Sequence, residues 1–403
     1  MGRQSARQRS AIYYANGAMR AGEQLDAGQV DVVSLHEILG TQSMLIGTDS
    51  DLETALKHFE KCLHADPSTP QELLNDLAVL RRMTATTILR GSRNSQPFSD
   101  LHRRQSSRLE KLGGTGHPED DPDFVKSRLY AEMNLVTALV YEAERAVNVS
   151  TEGGDGVERG RIALVGSVEA RLGVVLNNVK ELNENPDLKV LFLFLMSRLL
   201  DLKLRVQRKA KPEIDHGELA MSVLNYAEQA LECLEGEVDL HALMVEGNFT
   251  HVVDVYIHAA LVSGRVSEMF ADSDAEQSAT FVAKKDAHFS GGIDLAERLG
   301  SINQLLLIRE NVALGHFLNQ NWDACIDECR KSFRMAVEYG VSLRTAYAAY
   351  MLAISYYEKG ELEEGRKYVP AVAHSLESVS NEGDRREIAR YVDELARKYG
   401  LEA

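Results

Sequence analysis

The sequence has little cysteine and no apolar run long enough to span a bilayer. Four cysteines occur among 403 residues. This is too few for a disulfide framework in so long a chain and favours a reducing compartment. The most apolar stretch, residues 190–196, is followed by Arg198 and Asp201, well short of the roughly 20 residues that a spanning helix requires. We therefore predict a buried core helix there and no membrane span.

Positive charge is also scarce. Lys and Arg total 45 against 61 Asp and Glu, which gives a formal net charge of −16 at pH 7. Because a surface of this sign repels phosphate backbones, we do not expect nucleic acid as a partner. Residues 1–20 are an exception, since they contain arginines and no acid. We predict a cytoplasmic location, with a mitochondrial targeting peptide in this segment as the alternative.

Several common catalytic motifs are absent as well. The sequence contains no phosphate-binding Gly-x4-Gly-Lys-Ser/Thr loop, His-Glu-x2-His helix, Gly-x-Ser-x-Gly elbow or Cys-x2-Cys pair. We therefore predict a protein without a cofactor or enzymatic activity. His251, Asp254 and His258 share one helical face at the spacing of a metal-binding stripe. Without an evident fourth ligand, a polar stripe beside a partner helix is the favoured interpretation, and an unconventional metal-dependent enzyme remains the alternative.

Apolar residues recur at helical spacing along most of the chain, and no run of alternating apolar and polar residues is bounded by hairpin turns. The spacing predicts helices over 8–22, 30–46, 51–65, 70–90, 123–149, 158–182, 187–209, 213–234, 238–263, 276–289, 292–319, 322–339, 342–359, 362–378 and 384–399. Short links between consecutive helices predict antiparallel hairpins. The expected fold class is therefore all-α.

A short motif appears first near the amino end. Ala55, Phe59 and Cys62 follow one another on one face of a predicted helix, and Pro67 ends it. The small alanine allows a neighbouring helix to approach closely. This order of small, aromatic, small and proline residues resembles the second helix of a tetratricopeptide repeat.

The motif returns near the carboxyl end, where a first helix accompanies it. Leu352, Ala353, Tyr356, Gly360 and Gly365 give the fullest match. A second copy contains Val312, Ala313, His316, Asn321 and Cys325, with His316 at the aromatic position and Cys325 as the small residue. The resemblance covers about a third of the chain. It implies antiparallel hairpins stacked as an α-solenoid, with small residues such as Ala55, Ala353 and Gly365 at close helix contacts.

Cys325 and Cys329 lie one helical turn apart at packing positions of the repeat, so we predict that they belong to the core rather than to a metal site. The last helix carries Ile388, Tyr391 and Leu395 on one face, with charged residues around the rest. One apolar stripe on a polar helix is typical of the cap that ends a solenoid.

Residues 91–122 interrupt the helical pattern with glycine, proline and serine. We predict a flexible loop or insertion there, between an amino-terminal helical segment (1–90) and central hairpins (123–290), with carboxyl-terminal hairpins and the cap over 291–403. Within the loop, Ser106 follows Arg103 and Arg104 in the pattern of a basophilic kinase site, so it is a candidate phosphorylation site. A passive loop is the favoured alternative.

The resemblance implies a scaffold or adaptor, or a subunit of a larger complex, that binds a protein or peptide partner. If the hairpins stack as in the family, their first helices line a groove. The predicted groove residues are Leu307, Glu310, Leu314, Phe317, Tyr347, Tyr350, Ile354 and Tyr357. Family members that grip a terminal carboxylate use Lys, Asn and Arg where this chain has Glu310, Tyr350 and Ile354, so an amphipathic helix or extended apolar segment is the expected ligand. A peptide-sensing regulator is the alternative function, and packing against the partner helix is the alternative role of these side chains.

Overall fold

The computed structural model describes residues 16, 32–46, 48–90, 96–115, 121–148, 155–177, 179–210, 216–238, 250–271, 273–379 and 382–399. Within these residues the chain forms helices and no strand. The helices are α1 (Val32–Ile46), α2 (Asp49–Cys62), α3 (Pro70–Leu89), α4 (Gln96–Gly113), α5 (Pro122–Asn148), α6 (Asp155–Leu176), α7 (Val179–Glu184), α8 (Pro186–Ala210), α9 (Gly217–Glu237), α10 (Thr250–Phe270), α11 (Ala275–Leu299), α12 (Ile302–Leu318), α13 (Trp322–Tyr339), α14 (Ser342–Lys359), α15 (Leu362–Arg366), α16 (Val369–Glu377) and α17 (Glu382–Tyr399). The prediction of an all-α fold is confirmed.

Consecutive helices pack as antiparallel hairpins, as their short connections predict. Near the start of α13, Cys325 Sγ lies 3.1 Å from the hydroxyl of Ser355 near the end of α14. The end of α10 meets the start of α11, where the rings of Phe270 and Phe281 are 5.8 Å apart. The two carboxyl-terminal hairpins, α12–α13 and α14 with α15 and α16, therefore have the layout that the tetratricopeptide resemblance implies.

Three glycines end helices in this half of the chain. Gly300, Gly340 and Gly360 follow α11, α13 and α14 with φ values of 67°, 66° and 88°. A side chain is strained in this left-handed region, and glycine is not. At the opposite ends, the side chains of Asp274 and Asn321 accept backbone N–H groups from the first turns of α11 and α13. Each hairpin turn is thus encoded locally.

The small residues of the repeat motif lie at close contacts, as predicted. Ala55 and Phe59 of α2 are fully buried, and a Cβ at Gly40 of α1 would lie 2.6 Å from the Phe59 ring. A Cβ at Gly365 would lie 3.0 Å from the carbonyl oxygen of Ala353. The motif therefore marks the places where helix backbones approach one another.

The prediction of a loop over residues 91–122 is wrong. Helix α4 occupies most of this range, and the buried residues on its inner face are Phe98, Leu101, Gln105, Leu109 and Leu112. Their spacing of three and four residues is an amphipathic helical stripe. The polar outer face, together with glycine and proline at both ends of the segment, obscured it; residues 91–95 and 116–120 lie outside the described residues.

The predicted break between helices 276–289 and 292–319 is also misplaced. Helix α11 continues through Gly291 and Gly292 to Leu299, and so crosses the proposed boundary between residues 290 and 291. A Cβ at Gly291 would lie 2.8 Å from the Tyr256 ring, and one at Gly292 would lie 2.8 Å from the side chain of Ile308. These glycines allow α10 and α12 to approach α11, and they do not end it.

Other helix predictions differ in smaller ways. The helix predicted over 158–182 divides into α6 and α7, and that over 362–378 divides into α15 and α16, with Pro370 in the first turn of α16. Apart from Asn16, the helix predicted over 8–22 lies outside the described residues, as does the first part of the one over 238–263. Among the helices that the structure describes, none combines the length and the apolar character needed to cross a membrane.

The largest apolar core is continuous from Met44 of α1 to Ile308 of α12, and smaller clusters fill the later hairpins. Helix α17 then covers the last hairpin. Its Ile388 is buried beside Leu343 and Ala349 of α14, and its Leu395 packs beside Tyr357. The prediction of a carboxyl-terminal capping helix is confirmed.

Candidate functional site

A cavity of about 730 Å³ lies between helices from successive hairpins. Helices α5, α8 and α10 form what we call the amino-side wall, and α12, α14 and α17 form the carboxyl-side wall. Ile88 at the end of α3 also lines the cavity. Among the described residues, the lining includes seven arginines and five carboxylates together with leucine, isoleucine and tyrosine side chains. The cavity is therefore mixed in character, with charged and apolar patches side by side.

Glu144 of α5 is the buried centre of the charge network on the amino-side wall. The guanidinium of Arg198 donates two hydrogen bonds to it, one of them over 2.8 Å from Nε, and Arg205 Nη2 lies 3.6 Å away. Burial alone would raise the pKa of Glu144, but the two arginines outweigh this effect and hold that pKa below its ordinary value. Glu144 is thus a fixed negative charge.

Asp201 extends the network along α8 and across to α10. It is buried, lies 3.2 Å from Arg205 and accepts a hydrogen bond from Arg265. Arg198, Asp201 and Arg205 lie three and four residues apart, which places them on one face of α8. A continuous chain of alternating charges therefore lines this wall.

Asp254 of α10 accepts a hydrogen bond of 2.5 Å from the hydroxyl of Tyr141 on α5. The carboxyl group is buried, and burial raises the pKa of Asp254 to about 6. The guanidinium of Arg198 lies 4.3 Å from the centre of the Tyr141 ring, a cation–π contact. Arg198 therefore connects the Glu144 network with the Tyr141–Asp254 pair.

His258 lies one turn beyond Asp254 and is not arranged for catalysis with its neighbour Ser197. The Ser197 hydroxyl donates to the carbonyl of Val223 over 2.7 Å and lies 2.9 Å from His258 Nε2. Because serine has one proton to donate, Nε2–H must donate to Ser197. Burial, reinforced by Arg198, holds the pKa of His258 well below its ordinary value, so the ring is neutral. Because Nε2 carries the ring proton, it has no lone pair with which to accept the proton of this hydroxyl.

The side chain of His251, the third member of the predicted metal stripe, lies outside the described residues. Within the residues that are described, no group of three or more His, Cys, Asp or Glu side chains is arranged to hold a metal ion. Cys325 and Cys329 are buried in the core of the carboxyl-terminal hairpins, with their sulfurs 3.9 Å apart. Their predicted packing role is confirmed.

Four of the predicted groove residues line the cavity: Leu307, Glu310, Leu314 and Tyr347. Leu307, Leu314 and Tyr347 are half-buried and present an apolar surface. Glu310 is buried and accepts a hydrogen bond of 2.5 Å from Arg344, so it forms an ion pair within the wall.

The other four predicted groove residues lie elsewhere. Tyr350 stacks on Tyr391 of α17 at 5.6 Å, and Tyr357 stacks on Tyr399 at 4.8 Å. Ile354 packs in the same cluster. Tyr357 is 3% exposed, so its prediction as a groove residue is wrong: the apolar stripe of the capping helix covers this part of α14. Phe317, at the end of α12, packs against Trp322 at 5.1 Å.

The charged half of the cavity was not predicted from the sequence. Arg198 and Asp201 were treated only as the end of an apolar run, although a charged stripe within a buried helix is itself a signal of a polar interior site. The partners on α5 and α10 lie far away in the chain, and no local spacing connects them. Two of the charged residues around the apolar stripe of the capping helix, Arg386 and Arg390, also line the cavity.

The candidate phosphorylation site was predicted to lie in an exposed loop. The structure instead places it in α4. Ser106 is half-buried and accepts a hydrogen bond of 3.3 Å from Arg171 of α6. Arg104, two residues before it, pairs with Glu60 of α2 over 2.9 Å. Ser106 therefore lies within a packed helix, and the exposed loop on which the phosphorylation prediction was based is wrong.

No model of a known protein family and no curated protein sequence matches the chain. Among solved structures, it is similar to a signal transduction ATPase with a tetratricopeptide repeat sensor from Pyrococcus horikoshii, at 12% identity and a TM-score of 0.38. That match covers 88% of this chain, and this chain spans 50% of the length of the ATPase. A circular tandem repeat protein matches at 13% identity and a TM-score of 0.24, over 97% of this chain and 88% of that one. Both TM-scores are low, and neither likeness supports a functional conclusion.

Proposed function

We propose that this chain is a non-enzymatic interaction scaffold whose central cavity receives a segment of a partner protein. The observation that carries the proposal is the convergence of α5, α8, α10, α12, α14 and α17 on one cavity of about 730 Å³. A volume of this size falls within the range of roughly 300–1,000 Å³ typical of ligand sites. Apolar and charged side chains stand side by side, which suits a peptide segment with both kinds of residue.

The chemistry of the cavity favours binding over catalysis. The titratable side chains of the amino-side wall are engaged with one another, as Glu144 is with Arg198 and Asp201 with Arg265. A catalytic acid or base needs access to a substrate proton, whereas ion pairs of this kind hold the wall in one shape. The half-buried Leu307, Leu314 and Tyr347 are the surfaces that a partner side chain could cover.

A peptide-sensing regulator is the second candidate. It is favoured by the position of α17, which lines the cavity through Arg390 and Tyr391 and also caps the last hairpin. A small ligand that contacted both walls would alter the packing of this helix. Native mass spectrometry of the chain purified from its source cells distinguishes the two: a tightly bound short peptide supports the sensor, and a stoichiometric larger protein supports the scaffold.

Site-specific photo-crosslinking tests the location of binding. A photoreactive phenylalanine analogue at Leu314, inside the cavity, should crosslink to the partner in source-cell extract. The same analogue at Val337, which is exposed on α13 and does not line the cavity, is the matched control. Capture at Val337 in preference to Leu314 would place the partner on the outer surface and refute the proposal.

A further inference from the structure

The charge of the cavity is opposite to that of the protein. The whole chain carries a formal charge of −16, but the described lining residues carry seven arginines against five carboxylates, an excess of two positive charges. Because the rest of the surface is acidic, a negatively charged ligand is attracted to this region in preference to others. Arginine is also the side chain best suited to bidentate recognition of a carboxylate.

Three of the arginines that line the cavity are held by acids inside the wall. Arg198 binds Glu144, Arg265 binds Asp201, and Arg344 binds Glu310. The acid of each pair is buried, so removing its arginine would leave a buried charge uncompensated, which is costly. These pairs therefore set the shape and the positive background of the cavity rather than contacting a ligand directly.

The two arginines of the capping helix differ from these. Arg386 and Arg390 lie one turn apart on α17, and their side chains are 76% and 56% exposed. Their acidic partners, Glu382 and Glu394, lie on the same helix and are 66% and 54% exposed; the Arg390 pair spans 3.8 Å. Exposed pairs within one helix contribute little stability. A ligand carboxylate can therefore replace these partners at small cost.

Apolar surface lies on the same side of the cavity. Tyr347 and Leu314 belong to α14 and α12 and line the cavity together with Arg386 and Arg390. An acidic segment that also carried an apolar side chain would satisfy both surfaces at once.

We propose that the cavity binds an acidic segment of a partner protein, with its carboxylates on Arg386 and Arg390 and an apolar side chain against Leu314 and Tyr347. This inference rests on the proposed function and adds the chemical class of the ligand. The contacts differ from a grip on a terminal carboxylate, because side-chain carboxylates anywhere along the segment can reach the two exposed arginines.

Selection from a displayed library of random short peptides on the full-length chain tests this proposal. We expect Asp and Glu to be enriched, together with apolar residues, among the selected peptides. A selected peptide, labelled and measured by fluorescence anisotropy, should bind about tenfold more weakly when its Asp and Glu become Asn and Gln, since each tenfold step corresponds to about 1.4 kcal/mol.

The double variant R386Q/R390Q should also bind the selected peptide about tenfold more weakly. Its binding should lose most of its dependence on salt concentration. The control R366Q/R397Q removes two exposed arginines of α15 and α17 that do not line the cavity, and it should bind as the wild type does. Circular dichroism and urea unfolding of both variants show whether the fold is intact.

The outcomes separate this inference from the proposed function. Selection of neutral peptides whose binding requires Tyr347, but not Arg386 and Arg390, would overturn the acidic ligand and leave the scaffold in place. Preferential binding of an oligonucleotide would overturn it in favour of another polyanion. If no peptide binds and Leu314 captures no partner, both proposals are wrong.

Discussion

The two walls of the cavity hold charge in different ways. On the amino-side wall, Glu144 and Asp201 are buried between arginines of α8 and α10. On the carboxyl-side wall, one buried pair joins Arg344 to Glu310, and the remaining arginines stand exposed on α17. The comparison separates two uses of the same residue: a buried arginine with an acid beside it maintains the fold, whereas an exposed one with a weakly held partner can exchange that partner for a ligand.

The apolar residues show the same division. Tyr347 and Tyr350 lie three residues apart on α14, yet Tyr347 lines the cavity while Tyr350 stacks on Tyr391 of the capping helix. One turn of helix thus separates the proposed binding surface from a surface that packs against α17. The following variants test this separation, beginning with the largest expected effect.

Breaking the buried pair on the amino-side wall should cost the most stability. Arg198→Met leaves Glu144 buried without its two closest hydrogen bonds, and the free energy of unfolding should fall by about 3–5 kcal/mol. Urea unfolding at pH 7 measures this loss. The double variant Glu144→Gln with Arg198→Met should recover most of it, and Arg386→Gln should change stability by less than about 0.5 kcal/mol. Equal losses for Arg198→Met and Arg386→Gln would contradict the comparison.

Asp254 should make the amino-side wall sensitive to pH. Its pKa is raised to about 6 from 3.8, so the folded state holds this proton more tightly than the unfolded state does. The resulting stability is present below the unfolded pKa and is lost as pH rises through about 6. Tyr141 donates to the carboxyl group, and Arg198, Arg145 and Glu144 act on it electrostatically.

The variant Asp254→Asn keeps an acceptor for Tyr141 and removes the titration. Relative to the wild type, it should gain stability as pH rises from about 4 to about 7, by roughly 3 kcal/mol. Urea unfolding of both proteins across this range measures the difference, in which the titrations of all other groups largely cancel. A difference that did not change with pH would show that Asp254 has an ordinary pKa.

The junction between the two walls should tolerate no added bulk. Gly292 of α11 approaches Tyr256 of α10 and Ile308 of α12, so Gly292→Ala should overpack the contact and lower stability by about 1–3 kcal/mol. Gly315 is the matched control, because nothing within 4 Å would meet a Cβ there. Gly315→Ala should instead stabilise α12 by about 0.5–1 kcal/mol. Thermal unfolding compares the two, and stabilisation by both would show that the helix approach is looser than described.

Local signals predicted much of the fold. Apolar periodicity, the stops near Gly340 and Gly360 and the small residues Ala55 and Ala353 each act within one or two helices, and a single sequence records them. Helix α4 was missed because glycine and proline at its borders suggested a loop. The Gly291–Gly292 pair was interpreted as the end of a helix because glycine is favoured both where helices end and where they approach closely.

The lining of the cavity was harder to predict than the fold. Leu307, Glu310, Leu314 and Tyr347 line it because the stacking of hairpins brings the first helices to one face. The prediction failed at Tyr357 because the apolar stripe of the last helix predicted a cap but not which residues of α14 the cap would cover. The network of Glu144, Arg198 and Asp201 was missed because its members meet only when α5, α8 and α10 pack together.

The measurement that tests the account most directly compares Tyr347→Ala with Tyr350→Ala in two assays, partner affinity and urea unfolding, using the partner captured through Leu314. We expect Tyr347→Ala to weaken binding about tenfold, or about 1.4 kcal/mol, with unchanged unfolding. Tyr350→Ala should lower stability by about 1 kcal/mol as its stacking on Tyr391 is lost. If Tyr347→Ala binds the partner as tightly as the wild type does, the cavity is not the binding site.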